Sequence, residues 1–177
     1  MTGSTNRALM FVAIAATFAV TMMGTTLPTP LYPIYQAEMG FSQLMITVIF
    51  AVYAVGVIAA LIVTGAWSDQ IGRRPMLALG LALSAMSAVC FLLADGLWPL
   101  LAGRLLSGFS AGIFTGTATV AVVELAPAAW AGRATLIATA ANMGGLGLGP
   151  LFAGALSQYL PAPLTLCFIA DLVLIAL

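Results

Sequence analysis

Apolar residues run in long intervals with no Asp, Glu, Lys or Arg at all: 8–37, 39–68, 75–94, 105–123 and 134–170. A helix that crosses a bilayer needs about 20 apolar residues. The longer intervals are broken by the turn-formers Pro28, Pro30, Pro33, Gly40, Pro161 and Pro163, which end helices by removing a backbone donor or allowing a tight turn. The pattern therefore predicts six membrane-crossing helices, near 8–29, 44–66, 76–94, 98–122, 134–156 and 164–177. An outer-membrane barrel would need apolar and polar residues alternating in segments of about ten, and that alternation is missing.

Composition points the same way. The chain is 63% hydrophobic and 6% charged, whereas soluble domains are about a quarter charged, so its surface is not suited to water. Net charge is zero, which argues against a nucleic-acid partner, since that would need a basic patch. Cys90 and Cys167 both lie in apolar runs and read as packing residues. Arginine placement predicts the topology. With the N-terminus in the cytoplasm, Arg7, Arg73, Arg74 and Arg133 all fall on the cytoplasmic side, and the external turns around 30–43, 95–97 and 157–163 hold no basic residue, as the positive-inside rule requires. The first span is longer than a signal peptide and is followed by others. The last, at 164–177, is short for a crossing, so the sequence is expected to be a fragment of a longer protein.

The loop between the second and third spans reads GAWSDQIGRRP, residues 65–75. Gly72 suits a tight turn that needs positive φ, and Gly65 allows a close helix approach. Asp69 and Arg73, four apart, would share a face if helical geometry continued. Gly65, Asp69, Gly72, Arg73 and Arg74 together match the G-x-x-x-D-x-x-G-R-R loop of the major facilitator superfamily, which this sequence resembles. In that family the loop acts as a conformational latch. The resemblance implies that Arg73 pairs with Asp69 and with Glu124, which ends the fourth span in VVELAP.

Further matches cover the rest of the chain. Arg104 lies inside the fourth span, where a permanent charge costs about 2.5–3.5 kcal/mol or more unless it finds a partner or snorkels to the surface. R-x-x-x-G, Arg104 to Gly108, is similar to a family signature associated with proton coupling. Gly108, Gly112 and Gly116 recur every fourth residue and form a smooth packing face. The stretch NMGGLGLGPLFAG, 142–154, places Gly145 and Gly149 on one helical face, with Pro150 removing a hydrogen bond and kinking the helix. With Gly154, and Ala153 in place of a glycine, it resembles the family's antiporter signature G-x-x-x-G-P-x-x-G-G. Gly24 to Pro33 resembles a first-span signature of twelve-span drug antiporters.

The implied fold is an all-α membrane protein, six transmembrane helices arranged as a 3+3 inverted repeat, half of a twelve-helix transporter. The implied function is proton-coupled efflux of small, amphipathic or drug-like molecules across the bacterial inner membrane. Alternatives are a proton-coupled uptake symporter and a half-size protein that dimerises. The expected partners are a small-molecule substrate, protons, lipid, and the missing C-terminal half or a second copy. Asp171, a carboxylate within the sixth span, is a candidate proton carrier with Arg104; alternatively it sits near a helix end or forms a structural pair. Substrate-cavity candidates are the polar and aromatic positions Thr25, Tyr53, Phe109, Thr115, Asn142 and Met143. Tyr32, Tyr35 and Trp98 read as interfacial belt residues. With no histidine, no closely paired carboxylates and no phosphate-cradling loop, neither enzymatic bond-breaking nor a cofactor or metal is expected.

Overall fold

The structure, a computed structural model, describes residues 2–64 and 67–177, with the side chains of residues 2–6, 68 and 69 outside the description. Among the described residues eight α-helices follow one another: α1 (Thr2–Thr26), α2 (Tyr32–Met39), α3 (Gln43–Thr64), α4 (Trp67–Ile71), α5 (Arg73–Leu92), α6 (Leu97–Leu125), α7 (Ala134–Tyr159) and α8 (Pro163–Ala176). Short 3₁₀ turns at Thr29–Leu31 and Ala128–Arg133 join α1 to α2 and α6 to α7. Among the described residues, five helical stretches are long and apolar enough to cross a membrane, and Pro163–Ala176 is a shorter apolar helix.

Prolines and glycines set the boundaries. The first helix stops at Thr26, short of the expected 29, because Pro28 and Pro30 offer no amide hydrogen to continue the ladder. Gly72, at φ +100°, separates α4 from α5, a conformation that costs glycine little and other residues more. This break interrupts the continuous helix that would place Asp69 and Arg73 on one face. Pro150 lies within α7, which continues as helix to Tyr159.

The hub is α6. Buried residues make up 61% of its most apolar stretch, against 17–33% in the other four membrane-length spans. Its most extensive contacts are with α3 and α5, while α1 packs chiefly on α7 and α6. Glycine determines how closely two of these seams approach. A Cβ on Gly108 would strike the Tyr53 carbonyl, and one on Gly112 would lie 2.6 Å from Ala60 Cβ and 2.7 Å from the Val57 carbonyl. Across the same α3–α6 seam, a Cβ on Gly56 would lie 2.7 Å from the Leu105 carbonyl. On the α1–α7 seam, Gly145 abuts the Ala19 carbonyl and Met22, and Gly149 abuts Thr26 Oγ1 and the Met23 carbonyl. Such contacts let backbones meet where lipid supplies no hydrophobic drive for association. Hydrogen bonds join α5 to α6: Ser87 Oγ donates to the Gly103 carbonyl at 2.7 Å and Ser110 Oγ to that of Gly80 at 2.8 Å.

A Cβ on Gly154 would meet nothing within 4 Å among the described residues, so Gly154 holds no seam between the described helices. Two sequence expectations are corrected. Tyr32 and Tyr35 are each 1% exposed and belong to the core at the α2 end of the bundle, not to an interfacial belt. There the Tyr35 hydroxyl donates to the Phe91 carbonyl at 2.9 Å, and the Phe91 and Phe168 rings stack at 5.2 Å. Trp98 is exposed.

Candidate functional site

Between α1, α3, α6 and α7 lies an open concavity of about 330 Å³. It is bordered by Met22 from α1, Tyr53, Ala54, Val57 and Ile58 from α3, Ala111 and Thr115 from α6, and Asn142 and Leu146 from α7. Its size falls within the range of small-molecule sites, which are mostly apolar with a few placed polar groups. Among the described residues, none that lines it is charged. Asn142 is its polar residue on α7, and its Oδ1 is buried with no hydrogen-bond partner among the described residues.

The structure brings Tyr53, Thr115 and Asn142 together here and places the other three expected cavity residues elsewhere. Thr25 is buried, its hydroxyl donating to the Met22 carbonyl at 2.8 Å and its own carbonyl accepting from Arg104. Phe109 packs beside Ala60, Met76 and Ile113. Met143 is 59% exposed, one position along α7 from Asn142 and therefore about 100° around the helix.

Arg104 is 1% exposed, so it does not snorkel. Its Nε donates to the Tyr32 hydroxyl, Nη1 to the Thr25 carbonyl at 2.7 Å, and Nη2 to Thr29 Oγ1 at 3.4 Å. Burying a guanidinium is tolerable only with such partners. Asp171 is 3% exposed, and its Oδ1 has no hydrogen-bond partner among the described residues. Its carboxylate lies flat on Gly24, where an added Cβ would be 2.6 Å from Oδ1. Among the described residues, no ion pair joins Asp171 to Arg104. The two charged groups instead meet consecutive residues of α1, Gly24 and Thr25.

The far end of the bundle, where α1 and α5 begin and α6 finishes, carries the charged loop. Arg73 Nη2 lies 3.0 Å from Glu124 Oε1, with Nε at 3.4 Å from Oε2. Arg7, which the sequence reading did not connect with the loop, donates through Nη2 to the Glu124 carbonyl at 2.8 Å. That carbonyl belongs to the last turn of α6, where unpaired acceptors and the helix dipole favour a cation. Arg74 is exposed and borders a groove between α1 and α5. Gly65 and the Asp69 side chain lie outside the described residues.

Membrane-length helices sealed by glycine seams around an open concavity define an α-helical integral membrane protein. The sequence pattern of the Major Facilitator Superfamily matches residues 14–177, and the chain belongs to that superfamily of transporters. It is 36% identical over 119 residues to the tetracycline resistance protein, class D, of Salmonella ordonez, covering 64% of this chain and 29% of the relative. A citrate-proton symporter of Salmonella typhi is 37% identical over 103 residues, covering 52% and 23%. The multidrug resistance protein MdtL of Shigella flexneri is 35% identical over 80 residues, covering 45% and 20%. The chain thus matches less than a third of the length of each of these relatives.

Proposed function

We propose that this chain forms the N-terminal six-helix half of a proton-coupled exporter of small, amphipathic molecules, working by alternating access with a second six-helix half. The observation that carries this reading is the concavity between α1, α3, α6 and α7, apolar apart from Tyr53, Thr115 and Asn142 and, among the described residues, free of charged lining residues. Such a surface suits a neutral or weakly polar solute. The relatives named for tetracycline and multidrug resistance favour the same class. The pairing of α3 with α6 and of α1 with α7 is what a 3+3 inverted repeat would produce, since such a symmetry exchanges these two seams. The charged end, with Arg7, Arg73 and Glu124, would then face the cytoplasm of a bacterium, the side that the positive-inside rule favours for arginine.

In this mechanism the substrate occupies the concavity while Asp171 carries the proton and Arg104 braces α1 at the next residue, Thr25. Protonation changes the charge of a group lying against Gly24, at the end of α1 that is also tied to Arg104 through Thr25. That is a site where one proton can bias a helix between two arrangements. Arg73 and Glu124 latch the cytoplasmic end in the outward-facing state. The test is flux in proteoliposomes containing this chain with its completing half, using tetracycline and citrate as probes. Tetracycline moving opposite to an imposed proton gradient supports antiport. The second reading, an uptake symporter, is favoured by the 37% identity to a citrate-proton symporter, and co-directional movement of citrate and protons would replace the first reading with it.

A further inference from the structure

The guanidinium of Arg104 sits inside an aromatic cage. Its Cζ is 4.9 Å from the centroid of Tyr32, 5.5 Å from those of Phe50 and Tyr53, and 5.8 Å from that of Phe91. Rings from α2, α3 and α5 converge on one cation, the arrangement by which proteins hold quaternary ammonium ligands. Here the cation is part of the chain. Its donors are taken up by the Tyr32 hydroxyl, the Thr25 carbonyl and the Thr29 hydroxyl, all of them neutral acceptors. Among the described residues no carboxylate forms an ion pair with it; the Asp171 carboxylate lies against Gly24, next to the Thr25 whose carbonyl Arg104 holds. Tyr53 belongs to both environments, forming one wall of the cage and one wall of the concavity that holds Asn142. A ligand in the concavity therefore shares the Tyr53 wall with a buried guanidinium, in surroundings that screen charge far less than water does.

We propose that Arg104 is a resident cation that fills this cage and sets the charge selectivity of the adjoining concavity, which accepts neutral molecules and rejects organic cations. The proposal rests on the concavity being a ligand site, as argued above. It assigns Arg104 a role in specificity that its hydrogen bonds alone do not require. An organic cation entering beside Tyr53 would face like charge across that ring.

The test compares two probes of the same shape, neopentylbenzene and benzyltrimethylammonium, binding to the full chain in lipid nanodiscs. Ala54→Phe, which fills the concavity, removes the site-specific signal and leaves partition into lipid as the blank. Neopentylbenzene is expected to show Ala54→Phe-sensitive binding, with benzyltrimethylammonium at least tenfold weaker. Arg104→Gln should bring the two within about threefold. Thr29→Asp, which keeps the guanidinium and sets a carboxylate beside it, should narrow the gap as well, so the comparison does not depend on Arg104→Gln folding. Equal binding of both probes to the unaltered chain, or a gap that persists in whichever variant folds, overturns the proposal and leaves the ligand site standing. Absence of any site-specific binding of neopentylbenzene overturns both.

Discussion

Single residues in this chain are held by few but specific contacts. Tyr32→Phe keeps the ring of the cage and deletes the acceptor for Arg104 Nε. A buried charged donor left without its partner costs about 1–3 kcal/mol or more, so the variant is expected to melt at a lower temperature in detergent. Trp98→Phe, at an exposed position, is the control that should not shift. Asp171 behaves in the opposite sense. Among the described residues its Oδ1 has no hydrogen-bond partner to lose, so Asp171→Asn should leave the melting temperature unchanged or raise it while abolishing transport driven by a proton gradient. Loss of folding with Asp171→Asn would show a partner that the present geometry lacks, and unaffected coupling would remove Asp171 from the mechanism. These residues also mark what sequence could and could not supply. The uncharged intervals made Arg104 and Asp171 conspicuous, because any charge at that depth needs a reason. Their surroundings were not legible. A membrane helix is apolar on all sides, so no hydrophobic stripe indicates which way a residue such as Tyr32 or Met143 turns.

At the scale of helices, the glycines separate into those that hold a seam and those that do not. Gly145 and Gly149 face backbone carbonyls of α1, atoms that cannot yield as a flexible side chain can. Gly145→Ala and Gly149→Ala are each expected to destabilise the bundle by about 1–3 kcal/mol, the usual range for overpacking. Gly154 and Gly147 have open space where a Cβ would go. Alanine there should be neutral or stabilising by up to about 1 kcal/mol, since alanine is the better helix former. Thermal unfolding of the four variants under one detergent condition checks the ordering, and equal losses at Gly145 and Gly154 would contradict it. The i, i+4 spacing of Gly145 and Gly149 made this seam readable in advance. The partner glycine on the other seam, Gly56, was overlooked, although Gly56 and Ala60 form a small-residue pair four apart on α3. The prolines at 28, 30, 161 and 163 placed helix ends within a few residues because their effect is local. At Gly154 the motif position fixes the residue type but not what packs beside it.

For the molecule as a whole, the expected two-state element is the charged end where α1, α5 and α6 meet. The Arg73–Glu124 pair is partly open to solvent, with side-chain exposures of 26% and 53%, and a pair of that kind contributes under about 1 kcal/mol. Breaking it should therefore shift the balance between the two access states by no more than about fivefold, by the relation between free energy and population. Arg7 bonds to the Glu124 backbone and not to its carboxylate, so Glu124→Ala removes the ion pair and leaves the α1–α6 tie intact. Raised salt weakens an exposed pair of this kind. In a complete transporter carrying this half, single-molecule distance measurements across the charged end should thus show a modest gain in the open population for Glu124→Ala. High salt should produce a similar gain in the unaltered protein, with little further gain in the variant. The charge swap Arg73→Glu with Glu124→Arg should restore most of the original balance if attraction between the two side chains is what closes this end. If salt opens the variant as far as it opens the unaltered protein, closure depends on other charges, and the latch role passes away from Arg73 and Glu124.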